Sequence, residues 1–315
     1  MCCIFHNHYP KGYVDGVIYE HELHDKLKDK TLVKWFQYPI KSSPKSARKV
    51  AVLYCEGMVM KASEGVVGSQ YITDKHFSKI IDKVISQKYD GLIIRLNTRG
   101  GAATASESIY GALMKAKRSG VKIVVSMGDY AASAGYMMAA AADKIVAEPL
   151  TITGSIGVIY GRLHTQEFWN QLGVHWKTLS EGENATIFSP SQKLTPEQYD
   201  LLNKTTQYHY DQFVEKVALG RNMTVDAVDA IAGGRVWSGE SAKRLGLVDI
   251  LGGLSEAEDA MKALLKSDIT IVDLKDKDFS DFLTHIMAET QMSLMQSILM
   301  SLRIIAYQYG VLQGM

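Results

Sequence analysis

The chain has 315 residues, 46 % hydrophobic and 22 % charged, enough to bury a full core in one large domain or in a domain with appendages. A formal net charge of +1, with no basic run interleaved with aromatics, argues against a nucleic-acid partner. Three cysteines (Cys2, Cys3, Cys55) build no disulfide framework, and no run of eighteen apolar residues or basic-then-apolar leader reads as a membrane span or signal peptide.

Residues 1–48 are polar and partly helical. Cys2, Cys3, His6 and His8 have the spacing of no standard metal site, and His21 and His24, one helical turn apart, read as a solvated face; no metal and no other cofactor is expected. Lys11-Gly-Tyr-Val-Asp15 returns 234 residues later as Leu245-Gly-Leu-Val-Asp249, each followed by an apolar stretch and an acidic helix. The first 48 residues therefore read as the remnant of a preceding repeat plus a Lys/Ser/Pro linker.

From residue 49 the pattern becomes strand and helix in alternation. Lys49 opens a strand in which Cys55 is a small core residue, 73–88 is an amphipathic helix, and an apolar strand starts at Gly91. Thr104-Ala-Ser-Glu107 has the form of a capping box for a helix to residue 118, and the β-branched run Val121-Lys-Ile-Val-Val-Ser126 is a strand. A helix is expected over 164–172, a strand over 174–179 and a loop over 180–193. Thr195-Pro-Glu-Gln198 is a capping box with proline at the first helical position, opening a long helix to about Leu219, and Ser255-Glu-Ala-Glu258 is expected to cap another. The alternation predicts a largely parallel, layered α/β domain over 49–265. Residues 266–315 hold a strand and an amphipathic helix at 292–307, whose Met, Leu and Ile face fits a core or neighbouring subunit better than lipid.

The chemistry concentrates at three turns. Met127-Gly-Asp-Tyr-Ala-Ala-Ser-Ala-Gly-Tyr136 joins a strand to a small-residue helix, so Ser133 either caps that helix or presents a nucleophilic hydroxyl beside free backbone amides. Asn97-Thr-Arg-Gly-Gly101 places two bare glycines, Gly100 and Gly101, after a buried strand, where their N–H groups can face a substrate carbonyl. Thr153-Gly-Ser-Ile-Gly157 follows.

Together with Gly234-Arg-Val-Trp-Ser-Gly239, these motifs resemble, in order over about residues 50–260, the signal peptide peptidase A (S49) family of serine peptidases, and its long tandem form's C-terminal repeat in particular. The resemblance implies the ClpP/crotonase-like fold of repeated ββα units and a Ser/Lys dyad. In it Ser133 is the nucleophile, Gly101 and Ala134 supply oxyanion amides with Gly100 alongside, and Ser155 is the helper hydroxyl that orients the lysine. It also implies short apolar, signal-like peptides as substrates, a homo-oligomer or first-half repeat as partner, a membrane attachment in a preceding segment, and a site on the outer, periplasmic face of a bacterial inner membrane.

Two positions depart from the pattern. Arg99 stands where the family usually has proline, and Ala185 in Gly182-Glu-Asn-Ala185-Thr-Ile-Phe-Ser189-Pro190 stands where single-repeat members carry the lysine. Alanine cannot take a proton from serine. Either a first repeat supplies the lysine across a subunit boundary, its equivalent position falling upstream of Met1, or a displaced Lys177 or Lys193 serves. A ClpP-like Ser-His-Asp site would need His164 or His175. A catalytically incomplete scaffold or peptide-binding half is the non-enzymatic alternative.

Overall fold

The computed structural model describes residues 47–62 and 71–274, all within the compact unit Pro44–Met315. The early cysteines and histidines, the 11–15 half of the repeat and the 292–307 helix lie outside the described residues.

Four strands carry the centre of the molecule: β1 (Arg48–Glu56), β4 (Gly91–Thr98), β5 (Lys122–Ala132) and β6 (Lys144–Ala147), all parallel. A short β9 (Ile250–Leu251) extends the β6 edge and β10 (Ile269–Asp273) the β1 edge, giving the order β10-β1-β4-β5-β6-β9. A separate parallel pair, β2 (Met58–Met60) and β3 (Tyr71–Thr73), follows β1. Branching from β5, β7 (Ile152–Gly154) pairs antiparallel with β8 (Val236–Ser238).

Both faces of the central sheet are covered, which is why its strands read as continuous apolar runs. Leu92, Ile94 and Leu96 of β4 point to one layer with α1 (Asp74–Ser86), α2 (Ala103–Arg118), α3 (Ala134–Ala140) and the long α5 (Pro196–Arg221). Ile93 points the other way, with Val50, Val52, Val124 and Val146, onto Ala257, Ala260 and Met261 of α8 (Leu254–Leu265). A Cβ at Gly91 would lie 2.5 Å from the Met261 sulfur, so the bare backbone there sets how closely α8 packs. Three short helices complete the described chain: α4 (Gln166–Gln171), α6 (Val225–Asp229) and α7 (Gly239–Arg244).

The capping box at Thr195 is present as read, with Gln198 N–H donating to Thr195 Oγ1 and Thr195 N–H to Gln198 Oε1, both at 3.2 Å. Other local expectations are corrected. Thr104 does not cap α2, which starts at Ala103 behind Ala102: the amide of Ala102 is tied to the Val59 carbonyl (2.8 Å), so the chain leaves strand pairing and enters the helix directly. Ser255 lies inside α8, and the carboxylate of Glu256 accepts the Gly253 amide (2.7 Å). Residues 174–179 form no strand: that stretch is exposed and has no strand to pair with among the described residues.

The second half of the sequence repeat has a structural task. Asp249 accepts the Ile145 amide (2.8 Å) and Arg221 Nη1 (2.9 Å), while Arg221 Nε donates to the Gly246 carbonyl (2.9 Å). The buried phenol of Tyr136 donates to the Leu247 carbonyl (2.8 Å), which ties the end of α3's layer to the same turn.

Candidate active site

Ser133 is delivered by an irregularity in β5. Leu96 pairs with Met127, but Thr98 pairs with Ala131, so β5 carries extra residues at Gly128–Tyr130 and bends there. Asn97 fills the bend, its Oδ1 accepting the Tyr130 amide (3.1 Å), and Thr151 Oγ1 donates to the Gly128 carbonyl (2.7 Å). Ser133 then takes φ 53° and ψ −119°, a conformation that L-residues seldom adopt. It occupies the cap position of α3, yet its hydroxyl makes no capping hydrogen bond. Of the two readings of this serine, simple capping loses its geometric basis.

The double glycine lies against it. A Cβ on Gly100 would fall 2.8 Å from Ser133 Cβ, and one on Gly101 would fall 1.9 Å from the Val59 carbonyl oxygen. Val59 bonds the residues on either side of Gly101, donating to the Gly100 carbonyl (3.0 Å) and accepting from Ala102 (2.8 Å). In a parallel pairing of this kind the Gly101 N–H and C=O face away from Val59, toward the free edge. The Gly100 amide is taken by Thr98 Oγ1 (3.1 Å), which leaves Gly101 as the glycine with a donor to offer. The Ala134 amide opens α3, where no carbonyl lies a turn behind it.

Ser155 is placed by register. Ala132 pairs with Gly154 across β5 and β7, and the Ser133 amide donates to the Gly154 carbonyl (2.9 Å), so the two serines leave the paired strands side by side. The Gly234–Gly239 motif clamps this turn: the Ser155 amide donates to the Arg235 carbonyl (2.7 Å) and the Gly234 amide to the Ile156 carbonyl (2.8 Å). A Cβ on Gly154 would meet the Trp237 ring at 2.8 Å, and one on Gly157 the Gly234 nitrogen at 2.8 Å.

A cleft of about 200 Å³ opens at Ser133. Gly101, Ala134, Met137, Ile159 and Phe213 line it, and so do Glu107, His209 and Gln212. No lysine is among its described lining residues. Ala185 is exposed on a turn, Lys177 is exposed, and Lys193 pairs with Glu167 on the surface (3.1 Å). His175 is exposed against Asn170, and the buried Nε2 of His164 has no hydrogen-bond partner among the described residues; neither histidine lines the cleft. Arg99 lays its guanidinium 4.6 Å from the Tyr130 ring centre, a cation–π contact between the double-glycine loop and the bend of β5. Among the described residues no three His, Cys, Asp or Glu side chains gather as a metal site.

Sequence reading missed the α5 wall. His209, Gln212, Phe213 and Lys216 recur at helical spacing, so one face was visible, but nothing local says that this face meets the Ser133 turn. Lys216, with only 13 % of its side chain exposed, pairs with Glu107 at 3.1 Å and touches Gln212 Oε1 at 3.2 Å. Lys216 does not line the cleft, and its Nζ is engaged with Glu107 and Gln212.

The Peptidase family S49 profile matches residues 115–268. A putative signal peptide peptidase SppA from Enterococcus faecium is 32 % identical over 233 residues, covering 73 % of this chain and 68 % of that protein. The chain belongs to peptidase family S49. A serine protease SPPA, chloroplastic, from Arabidopsis thaliana is 36 % identical over 233 residues, covering 72 % of this chain; the match spans about a third (34 %) of that longer protein. Among solved structures, a serine-to-alanine mutant of the membrane-bound stomatin-specific protease 1510-N aligns with a TM-score of 0.51 at 15 % identity, over 74 % of this chain and all of that one. The fold of this S49 chain is accordingly the ClpP/crotonase-like α/β fold.

Proposed function

We propose that this S49 chain carries the nucleophilic half of a serine endopeptidase of the signal peptide peptidase A type. The observation that carries the reading is Ser133, a serine in a strained backbone conformation at the mouth of a cleft, with no capping bond and with Gly101 pressed against Val59 beside it. Ser133 Oγ attacks the scissile carbonyl, the amides of Gly101 and Ala134 hold the oxyanion, and the released amine leaves with the proton that the general base took from serine. Ser155 orients that base, a lysine contributed by a first-half repeat or neighbouring subunit. The peptide, apolar and signal-like, lies extended along the free edge at Gly101.

Support for a partner comes from the 159–188 segment, where Ile159, Leu163, Leu179 and Phe188 are 98, 80, 87 and 71 % exposed, apolar side chains that a second subunit could cover. No described helix is long and apolar enough to cross a membrane; the likeness to a putative signal peptide peptidase of Enterococcus faecium supports a bacterial membrane-associated setting.

The test is labelling of the purified chain by a fluorophosphonate, with and without a co-expressed first-half repeat, against Ser133→Ala. Labelling that needs the partner is the expected result. Labelling without it would place the base in this chain. The cleft's lack of a described lysine favours a second reading, a peptide-binding scaffold, and absence of labelling in both settings would select it.

A further inference from the structure

The cleft beside Ser133 is lined by apolar and polar groups together. Ala102, Ala103, Met137 and Phe213 line it, with Glu107 of α2 and His209 and Gln212 of α5. These polar groups differ in what they have left to give. Gln212 is committed, its Oε1 to Lys216 (3.2 Å) and its Nε2 to Glu215 (2.9 Å). Glu107 bonds Lys216 through Oε2 alone (3.1 Å) and keeps 55 % of its side chain exposed, so Oε1 remains an open acceptor. His209 makes a ring contact with Tyr208 and no hydrogen bond to the described residues.

A cleft that combines apolar walls with an open carboxylate fits a long side chain that buries a methylene stem and keeps a cationic head polar. A carboxyl side chain would face Glu107 with like charge, and a leucine would gain nothing from the acceptor. Resting on the peptidase reading above, we propose that this cleft receives the side chain nearest the scissile carbonyl and that Glu107 makes it select lysine or arginine, within a substrate whose other residues are apolar. Lys216 is the internal competitor: its ammonium holds Glu107 in place and offsets part of its charge.

The experiment compares labelling rates of the full chain, with its first-half partner, by peptidyl diphenyl phosphonates identical except for a terminal lysine, leucine or glutamate analogue. The lysine probe should label Ser133 about tenfold faster than the leucine probe, a difference of about 1.4 kcal/mol, and the glutamate probe slowest. Glu107→Gln should bring the lysine and leucine rates to within about twofold, and Lys216→Met should widen the wild-type gap by about threefold. Equal or faster labelling by the leucine probe in the unmodified chain overturns the inference, as does a lysine preference that survives Glu107→Gln. A peptide-free fluorophosphonate separates the two levels: if it labels Ser133 while the lysine preference is missing, the subsite assignment alone falls; if it too fails, the peptidase reading falls and takes the subsite with it.

Discussion

The amide of Ser133 donates to the carbonyl of Gly154 at 2.9 Å, the last rung that holds β5 to β7 before both chains turn away. Through that one bond the position of Ser133 depends on the Ser155 turn, and through the Arg235 carbonyl on β8 as well.

Ser155→Ala follows from this arrangement. The Ser155 hydroxyl makes no hydrogen bond within the described residues, and its amide, which does the structural bonding, is kept by alanine. Thermal unfolding should move by less than about 0.5 kcal/mol, while partner-dependent labelling of Ser133 should slow by about 10- to 100-fold as the base loses its orienting group. Equal losses in stability and labelling would make Ser155 a structural residue.

Gly101→Ala should act on both. The new methyl would sit 1.9 Å from the Val59 carbonyl oxygen and force the loop outward, carrying the Gly101 amide with it. Labelling should fall about 100-fold, the scale of a lost oxyanion donor, and unfolding should show a cost of about 1–3 kcal/mol. Full labelling by Gly101→Ala would remove this amide from the mechanism.

Ala185→Lys tests where the base comes from. Ala185 is exposed and does not line the Ser133 cleft, so a lysine there would stay solvated and charged. Labelling of the chain without a partner should change by less than about twofold, within assay scatter on the scale where 1.4 kcal/mol is tenfold. A gain of tenfold or more would show that the loop alone can complete the dyad.

Asp249 gives a pH prediction. Burial pushes its carboxyl upward, but the Arg221 guanidinium, the Ile145 amide and Lys144 together outweigh that and hold it below the ordinary 3.8. A depressed carboxyl stabilises the fold fully above the unfolded-state value and loses that contribution as pH falls below about 3.8 and through the folded value. Asp249→Asn should cost about 2–4 kcal/mol in urea unfolding at pH 7, since Arg221, only 9 % exposed, is left without its partner. The variant's stability should also fall less steeply than the parent's between pH 4 and 2; parallel curves would show that Asp249 does not titrate with folding.

The parts of the fold legible in the sequence were those whose cause is local. Leu92-Ile-Ile94 and Val124-Val125 spell a strand buried on two faces, and Thr195 with Gln198 spells a helix start, because a few consecutive residues hold the whole interaction. Thr104 and Glu107 had the same spelling and failed as a cap, since Val59, distant in sequence, had already engaged Ala102. Residues 174–179 had strand composition and no strand to pair with. The turns that carry Ser133, Gly101 and Ser155 are spelled by their own residues, whereas the α5 side of the cleft is not: Glu107 and His209 are 102 positions apart and line one cleft only because α2 and α5 pack on the same layer.

Folding by itself has no use for a serine at position 133. With φ at 53° the residue occupies a region that glycine enters freely and serine enters at a cost of about 1–3 kcal/mol, and its hydroxyl returns no capping bond in exchange. A sequence optimised for stability alone would carry glycine there, and Ser133→Gly should melt higher than the parent while losing fluorophosphonate reactivity completely. The turn is thus held in a shape that disfavours its own occupant, and the surrounding rungs to Gly154 and Val59 serve as the frame that keeps Ser133 at the cleft against its backbone's preference.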